Sequence, residues 1–161
     1  MFNLKAEFYL KVIFLFSFIA LISAFFIEYI LGHQPCNLCL IERIPYGLSI
    51  MIIMAIFLIR KNQKFLVMLL ILTFIFSFAI SFYHFGIEQG FFQESSVCGV
   101  KNLTESVAKE DLLKQLSEKT ISCKDVTFRI FGLSLTSINI VISLLFIITL
   151  LKIFNEYEKN Q

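Results

Sequence analysis

The chain has no tryptophan, only two prolines and six glycines in 161 residues, and charged side chains make up just 16% of it. Its glycines form no nucleotide-binding pattern, and there is no internal repeat or low-complexity tract. Lys and Arg do not gather into a basic face, and a net charge of +2 is too small to imply a nucleic-acid partner. A Cys-x-x-Cys pair is present, but without the βαβ setting of a thioredoxin-like motif. Leu40 also stands where c-type haem attachment needs His. What the chain has is apolar residues, 58% of the total. Soluble domains average roughly 45–50%, and here the excess falls in runs. The length predicts one compact unit, residues 1–161.

Four runs matter: about 9–31, 44–59, 65–83 and 133–151. A helix needs roughly 20 apolar residues to cross the hydrocarbon core, so the first, third and fourth qualify directly. The second is short and is expected to borrow from its flanks or thin the bilayer. Buried helices of a soluble protein are the alternative, but these segments have no polar face to offer water. The expectation is an all-α membrane protein, a four-helix antiparallel bundle whose short links force neighbours to alternate in direction.

Positive charges set its direction. Lys5 and Lys11, the link Arg60-Lys61-Asn62-Gln63-Lys64, and Lys152 and Lys159 fall on one side. The other side has Arg43 and a long loop of balanced charge, so both termini are expected in the cytoplasm. The five tyrosines fall at or just beyond span ends, as rings at headgroup level do. A signal peptide in place of the first span is disfavoured by the length of the run and a poor cleavage pattern.

The outward segments are then about 32–43 and 84–132. The first holds Gln34-Pro35-Cys36-Asn37-Leu38-Cys39-Leu40-Ile41-Glu42-Arg43, and the second holds Cys98 and Cys123. If Pro45 is the first helical residue of span two, Cys39 to Arg43 is loop. If the helix begins earlier, Pro45 kinks it, and Cys39 and Arg43 lie one turn apart on one face. Either way a helix N-terminus and Arg43 favour a thiolate at Cys39. Glu28 reads either as a helix-end carboxylate or as a neighbour of this site. Ser77, Ala79 and Ser81 read as close-packing positions of span three. In the long loop, Leu103, Val107, Leu112, Leu113 and Leu116 alternate with charges at roughly helical spacing. This predicts a short amphipathic helix on the membrane surface or packed on the bundle ends.

Outside the cytoplasm thiols are driven to disulfides, and four cysteines allow three connectivities. Spacing favours two disulfides: Cys36–Cys39, a strained short-loop bridge easily reduced and re-formed, and Cys98–Cys123 across the loop. A purely structural role fits poorly, because a Cys-x-x-Cys ring restrains little loop entropy. A zinc site ligated by all four also fits poorly, since the second pair is not closely spaced; no metal is expected. The remaining reading is a relay in which one pair meets a soluble dithiol and the other meets a lipid-soluble two-electron acceptor. A quinone meets that description.

These residues resemble a known family. Pro35-Cys36-Asn37-Leu38-Cys39-Leu40-Ile41-Glu42-Arg43 is similar to the Pro-Cys-x-Leu-Cys-Ile-x-(Gln/Glu)-Arg signature of the DsbB family of disulfide-bond-formation proteins. Tyr83-His84 and Phe131-Gly132-Leu133 match its shorter motifs, and the resemblance covers nearly the whole chain. It departs in lacking Trp, which relatives often place around the loops. The resemblance implies a thiol:quinone oxidoreductase of the bacterial inner membrane, with its cysteine pairs in the periplasm. Such an enzyme re-oxidises a DsbA-like periplasmic thiol oxidase and passes electrons to ubiquinone or menaquinone in the bilayer. It further implies that Cys98 takes the mixed disulfide and that Cys123 resolves it and is attacked in turn by Cys36. Cys39 would face the quinone, with Arg43 stabilising charge and His84 nearby. Two rivals are a scaffold with structural disulfides and a vitamin K epoxide reductase-like quinone reductase. In the latter the Cys-x-x-Cys follows the loop cysteines; here it precedes them.

Overall fold

The structure, a computed structural model, describes residues 4–59, 62–93, 98, 123, 129–130 and 133–159. Within these, helix α1 spans Leu4–Tyr29, α2 Asn37–Leu58, α3 Gln63–Glu88 and α4 Leu135–Lys159. All four are long and apolar enough to cross a membrane, so the chain is an all-α, multi-pass membrane protein. A short pairing of β1 (Arg129–Ile130) with β2 (Leu133–Ser134) leads into α4. The Ser134 hydroxyl then accepts the Ser137 N–H at 3.2 Å and caps that helix. The amphipathic helix expected around 103–116, Phe131-Gly132 and the Arg60-Lys61 part of the second link lie outside the described residues.

Several boundaries differ from the sequence expectation: α1 already starts at Leu4 rather than about 9, and α4 runs on to Lys159 rather than about 151. Helix α2 starts at Asn37 rather than Ile44, because the Cys36 sulfur accepts the Cys39 N–H at 3.3 Å and caps it. Pro45 therefore lies inside the helix and forfeits one backbone bond. At 22 residues α2 rises about 33 Å, so the bilayer need not thin around it. Helix α3 runs past Tyr83 to Glu88, which makes His84 a helical residue. At the fourth span, Leu133 belongs to β2 and the helix begins at Leu135.

Each helix packs mainly on its sequence neighbour, α4 lies along α3, and α1 and α4 scarcely touch. One core joins all four helices around Phe74, whose ring meets Tyr46 and Phe146 edge-on at 6.4 and 5.0 Å. Small hydroxyl residues let the helices close. Ser49 donates to Ser17 at 3.0 Å, Ser143 donates to Ser77 at 3.1 Å, and all four are fully buried. Ser81 is buried as expected of a packing position, whereas Ala79 is exposed. Tyr46 also departs from expectation. It is buried within α2 instead of resting at headgroup level.

The chain reverses after α1 through Gly32, whose φ of +72° suits a residue without Cβ. After α3 the Phe91 and Phe92 N–H groups donate back to the Gly86 carbonyl at 2.8 and 3.1 Å. This folds the Phe92 ring onto Gly86 and stacks it against Tyr83 at 5.7 Å. A Cβ at residue 86 would collide with that ring. Gly86→Val should therefore destabilise the protein in detergent by about 1–3 kcal/mol. Adding Phe92→Ala should restore part of the loss in thermal unfolding; equal melting of Gly86→Val and the parent would contradict this packing.

Candidate active site

The N-terminus of α2, the C-terminus of α3 and the start of α4 meet at one end of the bundle. Cys36 caps α2, and its sulfur lies 2.7 Å from that of Cys39, one helical turn on. Both are free thiols, whereas Cys98 and Cys123 are joined by a disulfide with Cα atoms 5.6 Å apart. The Cys98–Cys123 bridge is one of the two that spacing favoured; the other, Cys36–Cys39, is not bonded here. Cys36, Leu38, Ile87, Cys98 and Cys123 form one buried cluster, with Cys39, Ile41 and Tyr83 packed against it. Both sulfur pairs therefore share one end of the bundle.

Behind Cys36 stands His84, only 2% exposed. Its Nε2 lies 3.6 Å from the Cys36 sulfur, and its Nδ1 lies 2.8 Å from Glu42 Oε1. The Asn139 amide of α4 donates to Glu42 Oε2 at 3.2 Å and to Ser81 Oγ at 2.7 Å. The Tyr46 hydroxyl donates to the Asn139 carbonyl. Thr136, 3.3 Å from His84 Nδ1, donates to Glu88 at 2.6 Å. Among the described residues, no buried side-chain nitrogen or oxygen lacks a partner, as a low-dielectric interior demands.

The structure favours a thiolate at Cys36, where the sequence pointed to Cys39. The Cys36 thiol is pulled down from an ordinary 9.0 to about 4, chiefly by the hydrogen bond to the Cys39 side chain. The hydrogen bond and charge of His84 add to this, against the cost of burial. The helix N-terminus acts in the same direction.

On the other side of Cys39 is a cavity of about 350 Å³ between α1, α2 and α4, along the seam where α1 and α4 scarcely meet. Its walls are largely apolar, including Ala20, Ala24 and Ile142, and its polar lining includes Cys39, Glu42, Arg43, Tyr46, Thr136 and Asn139. Arg43 is ion-paired with Glu28 of α1 and lies over the Phe25 ring, 5.4 Å from its centroid. Glu28 is thus a neighbour of the site, the second of its two readings. His84 does not border the cavity; it sits behind the sulfurs.

The sulfurs of Cys36 and Cys39 and a His84 nitrogen all lie within 4.8 Å of one another, a donor set zinc could use. Two sulfurs on one zinc would stand about 3.8 Å apart, given Zn–S bonds of about 2.3 Å. At 2.7 Å the pair is spaced for thiol–disulfide chemistry instead. Sequence reasoning gave Glu42, Tyr46, Thr136, Asn139 and Glu88 no role in the site. Asn139 carried a usable signal, a lone amide deep in an apolar run.

A membrane bundle with an exchangeable dithiol, a neighbouring disulfide and an apolar cavity beside the sulfur defines a membrane thiol–disulfide protein. The sequence model described as "Disulfide bond formation protein DsbB" matches residues 6–153. An uncharacterized protein of Rickettsia prowazekii (strain Madrid E), RP370, is 32% identical over 136 residues, covering 83% of this chain and 79% of the relative. The chain belongs to the DsbB family, oxidoreductases of disulfide bond formation.

The Cys36 environment has a measurable consequence. In the reduced protein its thiolate absorbance should titrate near pH 4. Cys39→Ala should raise that midpoint more than His84→Ala does. A depressed pKa stabilises the folded, reduced form fully above pH 9.0, and the contribution fades as pH falls to about 4. An unshifted midpoint at about 8.5 would contradict the geometry.

Proposed function

We propose that this protein re-oxidises a DsbA-like periplasmic thiol oxidase, relaying electrons through Cys98/Cys123 and Cys36/Cys39 to a membrane quinone. One observation carries the reading: the Cys98–Cys123 disulfide and Cys36 pack in a single buried cluster, while Cys39 borders the cavity. The sulfurs thus run in series from the loop to the lipid-facing side.

In the first exchange a thiolate of the partner attacks Cys98, and Cys123 leaves as a thiolate. The second partner thiol then closes the partner's disulfide and frees Cys98. Electron flow reverses the attack implied by the resemblance: Cys123, now a thiolate, attacks Cys36 of the oxidised Cys36–Cys39 pair, Cys39 leaves, and Cys98 displaces Cys36 to restore the Cys98–Cys123 bridge. Each exchange breaks one S–S bond and forms another. The relay ends with Cys36 and Cys39 reduced and the Cys98–Cys123 bridge restored.

The cavity suits a quinone ring in size and in its apolar lining. Cys39 and Arg43 would hold the ring, which supplies two-electron, two-proton acceptance when bound. Arg43, fixed by Glu28 and Phe25, offers positive charge where negative charge develops. The Cys36 thiolate is ready to close the disulfide onto Cys39.

The decisive experiment is quinone reduction by the purified protein with a reduced thioredoxin-fold dithiol. Cys36→Ser and Cys39→Ser should each abolish it while the bundle stays folded by circular dichroism. Wild-type rates in either variant would reduce these cysteines to structural residues. Arg43→His should raise the KM for quinone about tenfold, equivalent to ~1.4 kcal/mol, and leave the KM for the dithiol unchanged. Impermeant thiol labels should reach Cys39 and Cys98, after reduction, from the same extracytoplasmic side; labelling from opposite sides would end the scheme.

A further inference from the structure

We infer that the carboxyl group of Glu42 carries the proton lost by Cys36, received through His84, to the cavity where the electron acceptor binds. The inference rests on the relay proposed above and concerns the route of its protons.

Closing the Cys36–Cys39 disulfide forms one S–S bond and yields two electrons and two protons overall, and an acceptor of the quinone class takes up both kinds. One proton comes from the Cys39 thiol, and one has already passed from Cys36 to the groups behind it. Cys39 borders the cavity, so its proton starts beside the acceptor. Cys36 does not border the cavity, and it is only 6% exposed. Its proton needs a path, and the side chains behind the sulfur supply one. His84 Nε2 faces the Cys36 sulfur at 3.6 Å, and Nδ1 on the opposite edge of the ring faces Glu42 Oε1 at 2.8 Å. An imidazole that accepts a proton at one nitrogen and releases one from the other passes it across without moving.

Two groups within reach of His84 Nδ1 also form part of the cavity wall, Glu42 at 2.8 Å and Thr136 at 3.3 Å, and only Glu42 is a carboxyl able to hold a proton. Its second oxygen is held by the Asn139 amide at 3.2 Å, and Asn139 is itself oriented by Tyr46 and Ser81. The carboxyl therefore touches His84 on one edge and the cavity on the other. A carboxyl buried among membrane-spanning helices, only 9% exposed, is a candidate functional group by default. The rival acceptor is Glu88, 3.8 Å from His84 Nε2, but it does not border the cavity.

The test counts protons without requiring a quinone. Purified, fully reduced protein is oxidised with ferricyanide, which takes electrons but no protons, and release to solvent is read with a pH-indicator dye. In the reduced protein the proton given up by Cys36 rests on the His84–Glu42 pair, and in the unaltered protein it should stay there as the disulfide closes, so only the Cys39 proton is released. Glu42→Gln should release the full two, and Glu42→Asp should recover retention. Quinone reduction by Glu42→Gln should fall about 100-fold, in the usual range for losing a proton-transfer group, with quinone affinity unchanged. Equal release by Glu42→Gln and the unaltered protein would overturn the inference, as would finding the effect in Glu88→Gln instead. Because the oxidant is ferricyanide, these outcomes are independent of whether quinone is the natural acceptor.

Discussion

The contact between His84 and Glu42 is the constraint on which this end of the bundle depends. It ties α3 to α2 beside the reactive sulfur, and through Asn139 it ties both to α4. An unpaired carboxylate at this depth would cost several kcal/mol, so the helices cannot slide or rotate past one another without exposing it. The apolar core around Phe74 supplies area and cohesion but little direction, because aliphatic faces pack in many registers. The polar cluster supplies register: it fixes which face of α3 looks at Cys36 and which face of α4 looks at Glu42.

The same cluster separates the two sulfurs chemically, although they are one helical turn apart. Cys36 has the helix N-terminus, the Cys39 side chain and His84 around it. Cys39 has the cavity and, one turn further along α2, Arg43. The pair is thus asymmetric, one sulfur turned toward the buried disulfide of the loop and the other toward apolar space. Arg43 is not a loose charge in this arrangement, because Glu28 and Phe25 of α1 hold it in the cavity margin.

Much of this was legible in the sequence. Long apolar runs had only one reasonable destination, and short links forced alternate directions, so Cys36 and Cys98 had to share an end of the bundle. The signature around Cys36 and Cys39 named the chemistry. What the sequence concealed was rotation about each helix axis. Where nearly every face is apolar, as in α1 and α3, periodicity does not say which residues turn inward. Glu42, Tyr46 and Asn139 therefore could not be read as one cluster, and Tyr46 was misplaced at the membrane surface. The start of α2 was obscured by Pro45, which resembles a helix boundary but is carried inside the helix.

The seam between α1 and α4 has a consequence for what the site could discriminate. On the proposed reading, a chamber of about 350 Å³ would take a quinone ring but not a long isoprenoid chain, which would have to leave along that poorly interlocked seam. Such a tail would rest among lipids and contribute almost no contact with protein. Choice among redox partners would then fall to the head group alone, and chain length would register only through partitioning into the bilayer.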